Sequence, residues 1–410
     1  MNDFRYVITR YKDGILSFMS DTRTNKMESV GFAHSNDYTD DANLGDIFVA
    51  KVVNVVQQIN AAFIDYAPNK KGYLPIHSGY MPVITNRKYD GRILAGDEIL
   101  VQLEKEAVRT KEPVFTLNLS LAGKYSVVSN ANTYKGVSRK CSKHDKEQLR
   151  QLIPQDIEHG VVIRTNAASL LNTSNETEIK ALQPVTDEII QLNHKMSALL
   201  QEGIHRTCYS RIWQSPPFYL TNMRDENVQY QQIITDDEIL YHEIKEFVSV
   251  YMPEQLPHIS LYQDNTYPLQ KLYRVETQLD ELLSKKVWLK SGAYLIIEKT
   301  EAMHVIDVNS GKNITKKDNA EYIYQINLEA AHEIMRQIRL RNLTGMILID
   351  FINMEDAQRD DTLMQALRVL AKKDHILTTV VDITALGLVE ITRKKTTKSL
   401  SEQIAGCSMT

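Results

Sequence analysis

Between residues 46 and 124, apolar and β-branched residues come in short runs divided by turn residues, at intervals too short for helices. Residues 46–56, 61–66, 72–76 and 99–104 are the expected strands, with Pro68-Asn69-Lys70-Lys71-Gly72 and Leu94-Ala95-Gly96-Asp97 as turns. About five strands in so short a stretch predict a small closed barrel. After Thr173 the period becomes helical: Ile189, Ile190, Leu192, Met196, Leu199 and Leu200 mark a helix within 176–201, with Pro184 at its start and Gly203 at its stop. Gln214-Ser215-Pro216-Pro217 reads as a linker. Ile233-Ile234 and a capping box, Thr235-x-x-Glu238, predict a strand followed by a helix to about Val250. The last third alternates expected strands at 294–297, 304–308, 346–349 and 379–383 with helices at 319–341 and 355–373, an α/β pattern. The basic, polar stretch 392–398 predicts a solvated tail.

Composition narrows the class. The chain has 410 residues, 43% hydrophobic and 24% charged, which suits two to four packed domains and argues against disorder or a fibrous repeat. A net charge of -4 excludes a surface coated in basic charge, so any nucleic-acid contact must be local. Cys141, Cys208 and Cys407 are scattered and odd in number, which fits neither a disulfide framework nor a Cys-x-x-Cys metal site and points to a reducing compartment. Residues 1–7 lack the apolar stretch of a secretory signal, and no run approaches the ~20 apolar residues of a membrane span. A cytoplasmic location is expected.

The strongest chemical signal is Ile306-Asp307-Val308-Asn309-Ser310-Gly311, where residues two apart on a strand share a face, so Asp307 and Asn309 would present a carboxylate and an amide together. A second strand, 346–349, ends in Asp350. Strands joined by one helical crossover can be neighbours, and ligands in open α/β sheets bind at their carboxyl ends. Two carboxylates and an amide oxygen suit Mg2+, which keeps several waters and binds phosphate, and so suggest hydrolysis of a phosphoryl bond. The plainer reading makes Asp307 and Asp350 strand-end acids capping turns or helices.

In the barrel, Phe63 and Tyr73 alternate with lysines as in oligonucleotide-binding surfaces, though both rings could equally be core. Lys111, Lys124 and Ser138-Arg139-Lys140 are candidate phosphate contacts. Arg164-Thr165, ending the expected strand from Gly160, has the fork and hydroxyl that suit a terminal phosphate.

Taken in order, these segments, with Asn327-Leu328-Glu329-Ala330-Ala331, Ile349-Asp350-Phe351-Ile352 and Leu386-Gly387-Leu388-Val389-Glu390-Ile391-Thr392-Arg393-Lys394, resemble the bacterial ribonuclease E/G family over nearly the whole chain. The resemblance implies a multidomain α/β protein. Its expected parts are an RNase H-like part split between 1–36 and 215–278, an inserted OB-fold barrel of S-one type at 37–125, a 5′-sensor region at 126–214, and a DNase I-like catalytic part at 279–400. It implies a Mg2+-dependent endoribonuclease, with Mn2+ as a substitute, cutting single-stranded, A/U-rich RNA to 5′-phosphate and 3′-hydroxyl ends during processing or decay. Asp307 and Asp350 would hold the metal and Asn309 would orient them. Phe63, Tyr73 and Lys111 would contact RNA, with Arg139 and Lys140 kept as candidate contacts from the residues alone, and Arg164 and Thr165 would read the 5′-phosphate.

The departures also carry expectations. Where the family has Cys-Pro-x-Cys, residues 401–410 end in Ala405-Gly406-Cys407-Ser408-Met409-Thr410, so a four-thiolate zinc link between chains is not expected. The family's small C-terminal domain does not follow, and a monomer or weak dimer is expected. For the basic residue that the family places after the second acid's helix to support the 5′-phosphate, Lys373 or His375 would have to serve. The competing functional reading is a non-catalytic RNA binder that kept the barrel and lost the zinc-linked dimer.

Overall fold

The computed structural model describes residues 3–34, 42–77, 79–107, 111–131, 133–172, 178–264, 266–311, 319–354 and 356–405, without the side chains of 172, 178–181 and 319. The chain divides into two compact units, one of 1–35, 228–246 and 254–410, the other of 36–227 and 247–253. Expected Cys407 lies outside the described residues.

The first unit holds two sheets. Phe4–Tyr11, Gly14–Asp21 and Met27–His34 form an antiparallel meander, and Tyr230–Thr235 then lies parallel to Phe4–Tyr11 with Ile259–Leu261 parallel beyond it. Tyr6, Val7, Ile8, Leu16 and Phe18 are all buried, so the meander is covered on both faces. The helix Glu238–Tyr251 follows, but its cap differs from the expected one. Leu240 N–H donates to Asp237 Oδ1 at 2.9 Å, while Thr235 is the last, buried residue of the strand and accepts from Asp237 N at 3.3 Å. Asp237 immediately precedes the first turn, where its oxygen reaches an orphan amide; Thr235 lies two residues too early.

The second sheet has the order Lys286–Trp288, Tyr294–Lys299, Met303–Asn309, Gly345–Asp350, Leu388–Arg393, Thr378–Ile383. Met303–Asn309 and Gly345–Asp350 are parallel neighbours joined through the helix Asn319–Leu340. Residues of one parity, among them Leu295, Ile306, Val308, Ile347 and Ile349, pack with Ile326, Ile334 and Leu367 of the helices Asn319–Leu340 and Ala357–Lys372 in one core. The opposite parity carries the polar positions, as the alternation of burial along Met303–Asn309 records.

The expected solvated tail at 392–398 is corrected by this sheet. Thr392 and Arg393 complete a strand between two others. Arg393 is buried, donating Nε to Asp374 Oδ2 at 2.7 Å and Nη1 to Asn342 Oδ1 at 2.6 Å. A buried carboxylate partner is what holds a charged side chain inside, and no local charge count reveals that partner.

The second unit contains the barrel. Ile47–Val56, Ala61–Ala67, Lys70–Pro75, Val114–Thr116 and Glu98–Lys105 pair in that order, and Glu98–Lys105 returns to pair with Ile47–Val56, closing five strands. Phe48, Ile64, Tyr66, Leu74, Ile99, Leu103 and Phe115 fill it. Gly72 is required by that packing: a Cβ there would stand 2.6 Å from the Phe115 ring. Beside the barrel strands runs a four-stranded sheet, Lys135–Val137, Gly160–Ile163, Ser126–Ser129, Ser120–Ala122, together with the long helix Glu178–Ile204. Pro184 lies inside that helix rather than opening it, and Gly203 lies within its last turn, where a Cβ would meet Leu100 at 2.8 Å. Among the described residues no helix is long and apolar enough to cross a membrane.

Candidate active site

Parallel pairing sets Asp307 directly opposite Asp350. Neighbours in register on a sheet point to the same side, and adjacent strands stand ~4.8 Å apart, so the two carboxylates leave one face side by side. That face is the one the helices do not cover: Asp307 is half-buried and Asp350 exposed. Asn309, next on the same face, donates Nδ2–H to Asp307 Oδ2 at 2.7 Å. Its amide therefore fixes the carboxylate's orientation, and no hydrogen bond or ion pair among the described residues engages Oδ1 of Asp307 or the side-chain oxygens of Asp350.

Among the described residues no Lys, Arg or His forms an ion pair with either acid. Like charges directly opposite on a sheet repel. An acid pair on an open sheet face, without a counter-ion among the described residues, is suited to a cation from solution. Among the described residues no three His, Cys, Asp or Glu gather as a ligand cluster, so a metal here would rest on two carboxylates and take its other ligands from water and phosphate. That donor set fits Mg2+, a hard ion that seldom sits in an all-protein cage.

The flanking loops are braced from the helix Asn319–Leu340. Buried Asn327 donates Nδ2–H to the Ile352 carbonyl at 2.7 Å and accepts from Ile352 N at 3.2 Å, holding the chain two residues past Asp350. Glu329 accepts from the amides of Lys290 at 2.7 Å and Ser291 at 3.3 Å. Beside that turn, Gly311 has φ +73° and a Cβ would lie 2.6 Å from the Gly292 carbonyl, so glycine alone fits the exit of the Asp307 strand. Spacing along the chain gave no sign that Asn327 and Glu329 serve these loops. Lys373 and His375 are exposed but precede a strand whose start pairs with Arg393, and Arg393 faces Gly345. They sit at the end of the sheet away from the acids.

The other candidates lie in the second unit. Phe63 and Tyr73 face each other across their strands, with ring centroids 5.9 Å apart and planes at 65°. Phe63 is 39% exposed and Tyr73 half-buried. Both point out of the barrel, so the core reading of these two rings gives way to an outward one. Lys111 and Arg139 are exposed and Lys140 half-buried.

Arg164 is engaged: Nη1–H donates to the Gly123 carbonyl at 2.7 Å and to Asp225 Oδ1 at 2.8 Å. Arg224 Nε–H also donates to Asp225 Oδ1 at 2.8 Å. Burial raises the Asp225 carboxyl pKa, but the Arg224 and Arg164 guanidinium groups outweigh it and hold the group below the usual carboxylate range. Thr165 opens the 3-10 segment Thr165–Asn172. The Arg224-Asp225 partner was missed because it is ~60 residues away in sequence; no local pattern joins the two.

Comparison with known proteins adds a lineage. The model of the ribonuclease E/G family matches residues 120–396. Ribonuclease G of Escherichia coli (strain K12) is 30% identical over 372 residues, covering 87% of this chain and 74% of that protein. Ribonuclease G of Haemophilus influenzae is 30% identical over 371 residues, with 87% and 73% covered. Ribonuclease E of Haemophilus influenzae is 28% identical over 371 residues, with 87% of this chain and 38% of that protein covered.

Proposed function

Because the chain belongs to the ribonuclease E/G family, we propose that it is an endoribonuclease of RNA processing, hydrolysing single-stranded, A/U-rich RNA to 5′-phosphate and 3′-hydroxyl ends. The observation that carries the reading is the in-register pair Asp307 and Asp350 on an open sheet face. Mg2+ bound there would acidify an attacking water and offset charge on the phosphodiester. Asp307, steadied by Asn309, and Asp350 would hold that ion, and the loops at Ile352 and Lys290, braced by Asn327 and Glu329, would keep both strand ends still as the RNA binds.

Phe63 and Tyr73 stack on unpaired bases, while Lys111, Arg139 and Lys140 meet the backbone. Arg164 and Thr165 receive a 5′-monophosphate, with Asp225 setting the guanidinium's position. The division into RNase H-like, barrel, sensor and DNase I-like parts is supported by four separate sheets, one assembled from residues of both 1–35 and 228–261. The chain acts in the cytoplasm.

The deciding experiment is cleavage of a 5′-monophosphorylated A/U-rich oligoribonucleotide with Mg2+, beside Asp307→Asn and EDTA controls. Internal cleavage lost in both controls is expected. Cleavage that persists in Asp307→Asn would overturn the assignment of the acids.

A further inference from the structure

The sheet that carries Asp307 and Asp350 also carries an aromatic patch that the acids do not explain. Trp288 pairs with Tyr294, and Tyr294 pairs in turn with Asn309. Lys286 pairs with Ile296, and Ile296 with Asp307. Two adjacent rows of one sheet face therefore run from Lys286 and Trp288 to Asp307 and Asn309. The distance is two strand spacings, about 10 Å.

The Trp288 and Tyr294 rings are 5.3 Å apart with planes at 61°. The Lys286 ammonium stands 3.9 Å from the Trp288 centroid and 3.8 Å from that of Tyr294. Trp288 is 64% exposed, on the face opposite the helices. The helix-packed core of this sheet does not use it. Lys286 on the edge strand could guard against strand pairing by itself. Such a guard needs no indole beneath it.

We infer that Trp288, Tyr294 and Lys286 form a stacking platform for a nucleobase of the single strand being cut, close to the bond that Asp307 and Asp350 address. The inference rests on the endoribonuclease reading of those acids. The occupant follows from chemistry. An exposed indole offers a π-face that any base can cover, and an ammonium at its rim meets either the base face or the neighbouring phosphate. A phosphodiester strand is the polymer that brings anion and aromatic ring together at this repeat. A helical strand rises ~3.4 Å per nucleotide along its axis and an extended one covers about twice that, so ~10 Å places the stacked base about one to three nucleotides from the cleaved bond.

Trp213 and Trp288 are the two tryptophans, so Trp213→Phe leaves Trp288 as the sole indole emitter. The full chain carrying Trp213→Phe is titrated in EDTA with an unlabelled A/U-rich oligoribonucleotide, following Trp288 emission; a fluorescein-labelled copy of the oligomer reports binding separately by anisotropy. Quenching of Trp288 at the anisotropy midpoint is expected. In cleavage assays with Mg2+, Trp288→Ala is expected to raise KM about tenfold with kcat within about twofold, Trp288→Phe to restore most of the loss, and Lys286→Gln to fall between. Binding and cleavage with unchanged Trp288 emission and an unchanged KM in Trp288→Ala would overturn the platform and leave the nuclease standing. An unchanged KM with a shifted oligomeric state in Trp288→Ala would overturn it in favour of a second copy of the chain. Neither binding nor cleavage by the wild type would remove both readings together.

Discussion

Replacing Asp350 with Asn is expected to stabilise the metal-free protein while abolishing cleavage. Asp307 and Asp350 stand opposite each other with no described cationic side chain paired to either. Two unit charges ~5 Å apart repel by about 1 kcal/mol in a water-like medium and about 3 kcal/mol at an effective dielectric of ~20. Asp350 is exposed and Asp307 half-buried, so the low end applies and relief of about 1 kcal/mol is expected. For a folding unit of this size that is a rise in Tm of roughly 2–4 °C. Added Mg2+ reverses the order: at 100 times its Kd a ligand of the native state adds about 2.7 kcal/mol to the wild type, and the variant, short of one ligand charge, gains far less. Differential scanning fluorimetry in EDTA and in graded Mg2+ reads both effects. A variant that melts no higher than wild type in EDTA, or that gains as much from Mg2+, would refute the view that these acids are an unpaired couple awaiting a divalent ion.

Phe63→Ala should weaken binding of single-stranded RNA by roughly 1–3 kcal/mol, measured by anisotropy, with little change in Tm because the ring faces outward. Arg164→Ala should narrow the preference for 5′-monophosphate over 5′-hydroxyl substrate. It should also make the second unit more acid-sensitive. Asp225 is held below its unfolded pKa of ~3.9, so its contribution is complete above that value and lost as pH falls through the folded one; removing one guanidinium raises the folded value and shrinks the contribution. Acid unfolding followed by Trp213 emission in a Trp288→Phe background checks this, and an unmoved midpoint would count against the ion pair. Arg393→Ala should cost about 3–5 kcal/mol by removing the buried counter-ion of Asp374, read by urea unfolding of the first unit.

How much could be read in advance depended on the range of the forces involved. The barrel strands and the α/β alternation are recorded in local period, and each expected strand there lies within a few residues of the observed one. The acidic pair was legible for the same reason, since strand-end positions and a single crossover constrain where Asp307 and Asp350 can meet. The N-terminal meander was not anticipated as strands, because burial on both faces erases the alternation that marks a half-exposed sheet. Arg393, Asn327 and Asp225 are set by partners 19, 25 and 61 residues away, and no window of sequence contains both members. Thr235 was misread as a cap since Asp237, two residues on, competes for the same role and wins by position.

The split of the first sheet bears on how the chain is made. Phe4–Tyr11 must wait for Tyr230–Thr235 before its outer edge is paired. At ~5–20 residues per second a ribosome needs about 10–40 s to deliver that partner. During that interval the meander exists with an open, apolar edge, of the kind that recruits other chains. The inserted barrel and its neighbouring sheet emerge within the same window, complete in their own strand pairing, so the nascent chain holds two paired sheets while the first unit is still a fragment. Aggregation during synthesis should therefore concentrate in residues 4–34, and slowing translation just before residue 230 should worsen it.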